Sequence, residues 1–370
     1  MNSELQYQIA LTLIPGVGSI TAKQLIAYCG SAEAVLTASP KALLRIPDVG
    51  PALSNAVAAS RQTALNRANE ELEFMEKNGV QALSFLDKSY PERLRNCDDC
   101  PLVLYAKGTA DLNAAKVVSI VGTRNATAYG RQQCESLVRD LAGVYAPLVV
   151  SGLAFGIDVC AHRAALKNGL TTVAVVGHGL DMVYPAQHVN VAQEMVQQGG
   201  ALLSDFTSRC LMDPSNFVRR NRIVAGMADA TIVVESAEKG GALITASMAV
   251  DYARDVMAFP GRVGDKASEG CHKLIKTNKA ALVESAADVA YNLGWDISRK
   301  QPVQLPLFSA ELSDSEKKLL EFLSATEAQS IDVICRSTGL PMPQVSSSLL
   351  SLEFGGLIKS LPGKMFLKIR

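Results

Sequence analysis

Val117-Val-Ser-Ile-Val-Gly122 is a short apolar run that stops on a glycine, and Thr123-Arg124 and a helical pattern follow it. The same grammar recurs four times downstream: Leu148-Val-Val-Ser-Gly152, Thr172-Val-Ala-Val-Val-Gly177, Thr231-Ile-Val-Val-Glu-Ser236 and Val256-Met-Ala-Phe-Pro-Gly261. Each run is continuous rather than alternating, ends in small residues and leads into a helical stretch. Strands of that kind are apolar on both faces, so they predict a parallel sheet covered by helices on each side, a Rossmann-like α/β core over residues 115–295. Sheets of this type bind ligands at the carboxyl ends of their strands.

The flanking sequence reads as separate modules. Residues 1–65 predict short helices around two similar turns, Leu13-Ile-Pro-Gly-Val-Gly18 and Leu44-Arg-Ile-Pro-Asp-Val-Gly50, in the manner of a helix-hairpin-helix or SAM-like domain. Such a module either packs and mediates contacts or offers backbone N–H groups to a DNA phosphate; in the second copy Asp48 would repel one. Residues 66–114 predict a connecting helix with a solvated acidic face (Glu70, Glu71, Glu73, Glu76) and lead-in strands. Gln301-Pro-Val-Gln-Leu-Pro-Leu-Phe-Ser309 predicts an extended linker over 296–311. Residues 312–370 predict three helices and a hairpin turning at Pro362-Gly363, a winged helix-turn-helix. Its third helix, from Pro341, carries no Lys or Arg, which favours protein contact over DNA reading, although Lys359, Lys364, Lys368 and Arg370 follow in the wing.

Composition limits the function. Hydrophobic residues make up 48% of the 370 and charged residues 19%, so most of the chain folds. With 36 Lys+Arg against 36 Asp+Glu, no global field draws the chain to polyanions, and nucleic-acid binding would rest on local clusters. The N-terminus lacks a basic segment followed by an apolar core and no apolar run has membrane length, which predicts a cytoplasmic protein. Eight scattered cysteines predict free thiols there, and Cys97-Asp-Asp-Cys100 has zinc-knuckle spacing without a second ligand pair.

The strand ends supply glycines, hydroxyls and arginines. After the first run come Gly122, Thr123 and Arg124; after the second, the small-residue turn Ser151-Gly152-Leu-Ala-Phe155-Gly156; after the third, Gly177-His-Gly-Leu-Asp-Met-Val-Tyr-Pro185. Open backbone N–H groups side by side suit a ligand with repeated phosphates. Gly177-x-Gly179 lacks the third glycine of a dinucleotide fingerprint, and no phosphate loop of the ATPase type is present, so no cofactor is expected. Arg219, Arg220, Asn221 and Arg222 form the densest basic cluster of the core; if helical, they turn at least one guanidinium toward the strand ends. Lys239, Gly240, Gly241 and Thr245 bracket the start of another helix. The four histidines are scattered, and Glu235 alone makes a poor catalytic set, which predicts no metal site and no enzyme.

Taken in order, Ile-Val-Gly-Thr-Arg from Ile120, Ser-Gly-Leu-Ala-Phe-Gly-Ile-Asp from Ser151, Gly-Leu-Asp-Met-Val-Tyr-Pro from Gly179, Arg-Arg-Asn-Arg-Ile-Val from Arg219 and Gly-Gly-Ala-Leu-Ile-Thr-Ala from Gly240 closely resemble the DNA-processing protein A (DprA/Smf) family. The resemblance implies a protein that binds and protects single-stranded DNA, loads the RecA recombinase onto it in natural transformation, and forms a homodimer through its core. It assigns DNA contacts to Gly122, Thr123, Arg124, the Ser151, Gly152, Phe155 and Gly156 turn, Arg219 to Arg222, and Lys239 to Thr245. Phe155 stands where many relatives carry Arg or Lys, and is either a stacking face for a base or a buried aromatic. His272 stands where the family usually has Asn. Two rivals remain: a nucleoside monophosphate phosphoribohydrolase on a related fold, and a duplex-DNA regulator acting through the winged helix.

Overall fold

The computed structural model describes residues 3–295, 312–324, 327–361 and 363–369. The expected linker at 296–311, and Pro362 of the wing turn, lie outside the described residues. Two units divide the chain, the first ending at Trp295.

Among the described residues nine strands form one sheet in the first unit: β1 (Gln81–Ser84), β2 (Val103–Gly108), β3 (Val117–Val121), β4 (Leu148–Ser151), β5 (Thr172–Val175), β6 (Ala201–Ser204), β7 (Ala230–Val233), β8 (Asp255–Ala258) and β9 (Ala281–Leu282). Their spatial order is β1-β2-β6-β5-β4-β3-β7-β8-β9. β3 to β9 all pair in parallel, while β2 joins β6 and β1 joins β2 antiparallel. Alternate residues feed two cores. Val118, Ile120, Val149 and Ile232 meet the helices Ala128–Val144 and Ile157–Lys167, whereas Val117, Val121, Val150 and Val233 meet Pro214–Gly226 and Ala242–Asp251. The chain winds outward from β3 to β6, returns, and winds the other way from β7. That reversal puts a crevice at the carboxyl ends of β3 and β7.

The two N-terminal turns have matching backbones. Gly16 and Asp48 both take positive φ (82° and 61°), and Gly18 and Gly50 both cap the following helix at φ near −85°. The second of those helices corrects the sequence reading, because Pro51–Asn78 is one unbroken helix of 28 residues. It has proline at its start, no further proline or glycine inside, and left-handed Gly79 at its end. The boundary drawn at residue 65 falls within it. Nor is its acidic face wholly solvated: Glu71 is buried, accepts the Ser208 N–H at 2.9 Å and pairs with Arg67 at 2.8 Å, while Glu70, Glu73 and Glu76 are exposed. The N-terminal helices share a continuous core with β2, β6 and the helix Val189–Gln197, through Ile9, Leu25, Leu36 and Val57 on one side and Tyr105, Leu202 and Met195 on the other. Cys97 and Cys100 are buried, their thiols near the carbonyls of Arg93 and Arg95, and Lys23 Nζ lies 3.2 Å from Cys100 Sγ.

The second unit has the helices Asp314–Phe322, Ile331–Thr338 and Met342–Phe354 and a sheet of β10 (Gln329–Ser330), β12 (Met365–Lys368) and β11 (Ile358–Leu361), in that order. Ser313 and Glu316 make the reciprocal capping box expected at the first helix. Leu319, Ile334, Val345, Leu349 and Ile358 fill its core. Lys368 Nζ is bonded to the Leu320 carbonyl at 3.1 Å, so of the wing cations Lys359 and Lys364 are the exposed ones among the described residues. No helix of the described residues is long and apolar enough to cross a membrane.

Candidate functional site

Three loops leave the sheet at the crevice and are joined to one another by backbone contacts. Gly122 has no room for a Cβ, which would meet the Ile157 side chain and the Glu235 carbonyl. The Thr123 N–H donates to Glu235 O at 2.7 Å, and Thr123 O accepts the Ile157 N–H at 3.2 Å. Gly156, at φ 78°, lies directly against the carbonyls of Thr123 and Arg124 and could hold no other residue there. The loops after β3, β4 and β7 therefore form one rigid rim.

Beneath that rim, buried polar groups hold the shape. Glu235 accepts the Thr127 N–H at 2.8 Å and its hydroxyl at 2.6 Å, and Thr127 Oγ1 in turn caps Ala128–Val144 at the Gly130 N–H. Ser151 is buried and its hydroxyl donates to Ile120 O at 2.6 Å. Arg220 runs under Gly152, where Nη1 donates to the carbonyls of Gly152 and Val175, and Nη2 lies 3.8 Å from Asp158. Burial pushes the Asp158 carboxyl up, against the pull of Arg220 and the Ala154 N–H; burial pushes Arg220 down, with Asp158 opposing.

Above them opens a cleft of about 380 Å³. Gly122, Thr123, Arg124, Gly152, Arg220, Asn221, Gly240, Gly241 and Thr245 line it, together with Asp158, Phe217 and Ile244. Two helices start on its edge without a side-chain cap, Ile157–Lys167 after Gly156 and Ala242–Asp251 after Gly241. Such ends turn a positive dipole toward an anion; at the first of them the Ile157 N–H is already given to Thr123 O and the Val159 N–H to Ala154 O. Arg124 is exposed, its guanidinium 6.0 Å from the Phe217 ring centroid, and no carboxylate of the described residues is within ion-pair distance of it.

The basic cluster divides by helical phase. Arg220 is a buried brace and Asn221 lines the cleft, but Arg219 and Arg222 turn to Asp205, at 3.2 and 2.7 Å. Arg222 is buried, also bonds the Asp99 carbonyl and approaches Ser19 of the N-terminal module. Lys239 is exposed on the loop ahead of Gly240, outside the cleft lining. Phe155 projects beside the cleft with 44% of its surface exposed, so it is not a core aromatic. Asp158, inside the Ser151 motif, and Phe217, two residues ahead of Arg219, also line the cleft, although neither carries the positive charge or the glycine that marks a phosphate loop in the sequence.

Three of the four histidines are spent on structure. His162 Nδ1 meets Thr172 Oγ1 at 2.7 Å, His178 bridges Gly179 O and the Tyr184 N–H, and His188 Nδ1 meets Leu153 O at 2.8 Å. Among the described residues no group of three or more His, Cys, Asp and Glu side chains could hold a metal ion.

This architecture and these loops have relatives. Residues 81–294 match the family described as DNA recombination-mediator protein A, and residues 305–364 match the DprA winged helix domain. The chain belongs to the DNA recombination-mediator protein A family. Within it, Protein Smf of Escherichia coli is 33% identical over 317 residues, covering 81% of this chain and 83% of that protein. The X-ray structure of DNA processing protein A from Streptococcus pneumoniae aligns with a TM-score of 0.65 at 30% identity, over 77% of this chain and 97% of that one. A Helicobacter pylori DNA processing protein A, whose structure concerns its single-stranded DNA binding mode, aligns with a TM-score of 0.53 at 28% identity, over 59% and 96% of the two chains. The match from residue 81 onward takes in every strand of the sheet, so the recombination-mediator fold includes the β1–β2 edge as well as the parallel core.

Proposed function

We propose that the cleft holds the sugar–phosphate backbone of single-stranded DNA, and that the protein shields the strand and passes it to a RecA recombinase in the cytoplasm, as a homodimer and without chemistry, cofactor or metal of its own. The observation that carries this is an exposed, unpaired Arg124 beside two uncapped helix starts. In this reading Arg124 forks onto one phosphate, the helix after Gly156 contributes its dipole, and the N–H groups at Gly241 and Ala242 take a neighbouring phosphate. Gly122, Thr123, Gly152, Asn221, Gly240 and Thr245 shape the channel, Arg220 supports it, and Lys239 adds charge at its exit. Arg219 and Arg222 act through Asp205 on the module contact rather than on DNA. The H. pylori relative's single-stranded DNA binding supports the same ligand here.

The experiment is fluorescence anisotropy with labelled oligo-dT and a matched duplex across a salt series. The single strand is expected to bind more tightly. Arg124→Ala is expected to weaken it roughly tenfold at low salt and to lower the slope of log affinity against log salt by about 0.7. Equal binding by the variant, or preference for duplex, refutes the assignment.

The hydrolase alternative loses the acid that the sequence offered it, since Glu235 is consumed at the Thr127 cap, and the cleft carboxylate Asp158 is engaged by Arg220. The duplex-regulator alternative predicts that a chain ending near residue 305 loses all DNA binding; the present reading predicts that most single-strand affinity survives that truncation.

A further inference from the structure

A strand in this cleft has two sides, and only its phosphate side has been given partners. Beside the cleft stand half-exposed rings. Phe155 is fixed at its place because Gly156 beside it cannot shift against Thr123, and because its ring meets His188 edge-to-face, 4.9 Å between centroids and 66° between planes. His188 is itself buried and bonded to Leu153 O, so the contact has a firm backing. Tyr184, on the same loop as His188, is 48% exposed. Its backbone N–H is held by His178 Nε2 at 3.1 Å, and its ring lies 5.6 Å from Phe217, the aromatic that lines the cleft near Arg124.

We propose that Phe155 and Tyr184 form a base-stacking wall, so that the nucleobases of the bound strand lie on these rings while its phosphates follow Arg124 and the uncapped helix starts. This rests on the reading of the cleft as a single-strand site and assigns its second side. Every base has a π-face, so the wall would bind without sequence preference. A duplex hides those faces in its own stack, so the same two rings would also select single over double strands.

The test uses the full chain and two labelled strands of one length, oligo-dT and an oligomer with abasic spacers at its internal positions. Wild type is expected to prefer oligo-dT by roughly 5- to 150-fold for each stacked base, at the same salt slope. Phe155→Ala and Tyr184→Ala should each shrink that preference and leave affinity for the abasic strand unchanged, whereas Phe155→Trp should keep it. Phe155→Leu retains apolar bulk without a ring face and should behave as Phe155→Ala does, which separates stacking from support of the turn. If the alanine variants keep the wild-type preference, or lose abasic affinity in equal measure, the wall is refuted while the phosphate assignment stands. If wild type binds neither strand, the single-strand reading falls, and the wall with it.

Discussion

Arg220→Met is expected to destabilise the first unit by about 3–5 kcal/mol. The guanidinium is almost wholly enclosed and serves three groups at once, the carbonyls of Gly152 and Val175 and the carboxylate of Asp158. Methionine fills much of the volume but leaves Asp158 as a buried charge without its counter-ion and two carbonyls without donors. Trp295, the chain's one tryptophan, packs 5.7 Å from Tyr145 and serves as the fluorescent reporter in a guanidinium titration. The double variant Arg220→Met with Asp158→Leu should recover a substantial part of the loss, because the uncompensated charge goes too. Arg124→Ala, at the exposed rim, should stay within about 0.5 kcal/mol of wild type. A loss below about 1 kcal/mol for Arg220→Met would show that the brace is not needed.

The second large effect is acid sensitivity from His162. Burial, followed by the nearby Arg220 and His188, pushes its pKa down to about 3 from an ordinary 6.5. Thr172 Oγ1 donates to Val149 O and so accepts from His162 Nδ1–H, which fixes the neutral tautomer and leaves Nε2 unpartnered. A depressed pKa costs the fold nothing while the ring is neutral in both states, above about pH 6.5. As the pH falls below that value the unfolded chain takes up a proton that the folded chain refuses. Stability should therefore drop by up to about 1.4 kcal/mol per pH unit between roughly pH 6 and pH 3. Asp158 works in the other direction, since its raised pKa makes the fold gain relative stability as the pH falls. The difference between wild type and His162→Gln across pH 7 to 4.5 isolates the histidine: the wild-type curve should be steeper, and parallel curves would refute the assignment.

Much of the core was readable because both faces of its strands are apolar, which leaves five unbroken runs against a polar background. β6 and β9 escaped for a physical reason. Ala201-Leu-Leu-Ser204 follows a glycine pair and has no β-branched residue, unlike the runs that were read, and Ala281–Leu282 is a two-residue edge pairing, so neither gives a strand signal. The strand-end glycines were readable as loops, but which of the neighbouring cations faces the ligand was not. Around the helix Arg220 points about 100° from Arg219 and about 160° from Arg222, while Arg219 and Arg222 lie only about 60° apart and share Asp205, so Arg220 braces the loops, Arg219 stays at a rim and Arg222 faces the N-terminal module. Depth of burial, which separates these roles, is a property of the packed sheet rather than of charge pattern. The acidic helix behaves similarly: Glu71 is set apart from Glu70 and Glu73 by its burial against Ser208, more than a hundred residues away, and by its pairing with Arg67.

The joining of Gly156 to Thr123 bears on kinetics as well as on shape. Loops locked to each other before a ligand arrives have no disorder to surrender on capture, so association should proceed at the encounter rate set by charge and ionic strength, in a single phase without a slow isomerisation. Oligomers of different composition would then differ chiefly in how long they stay.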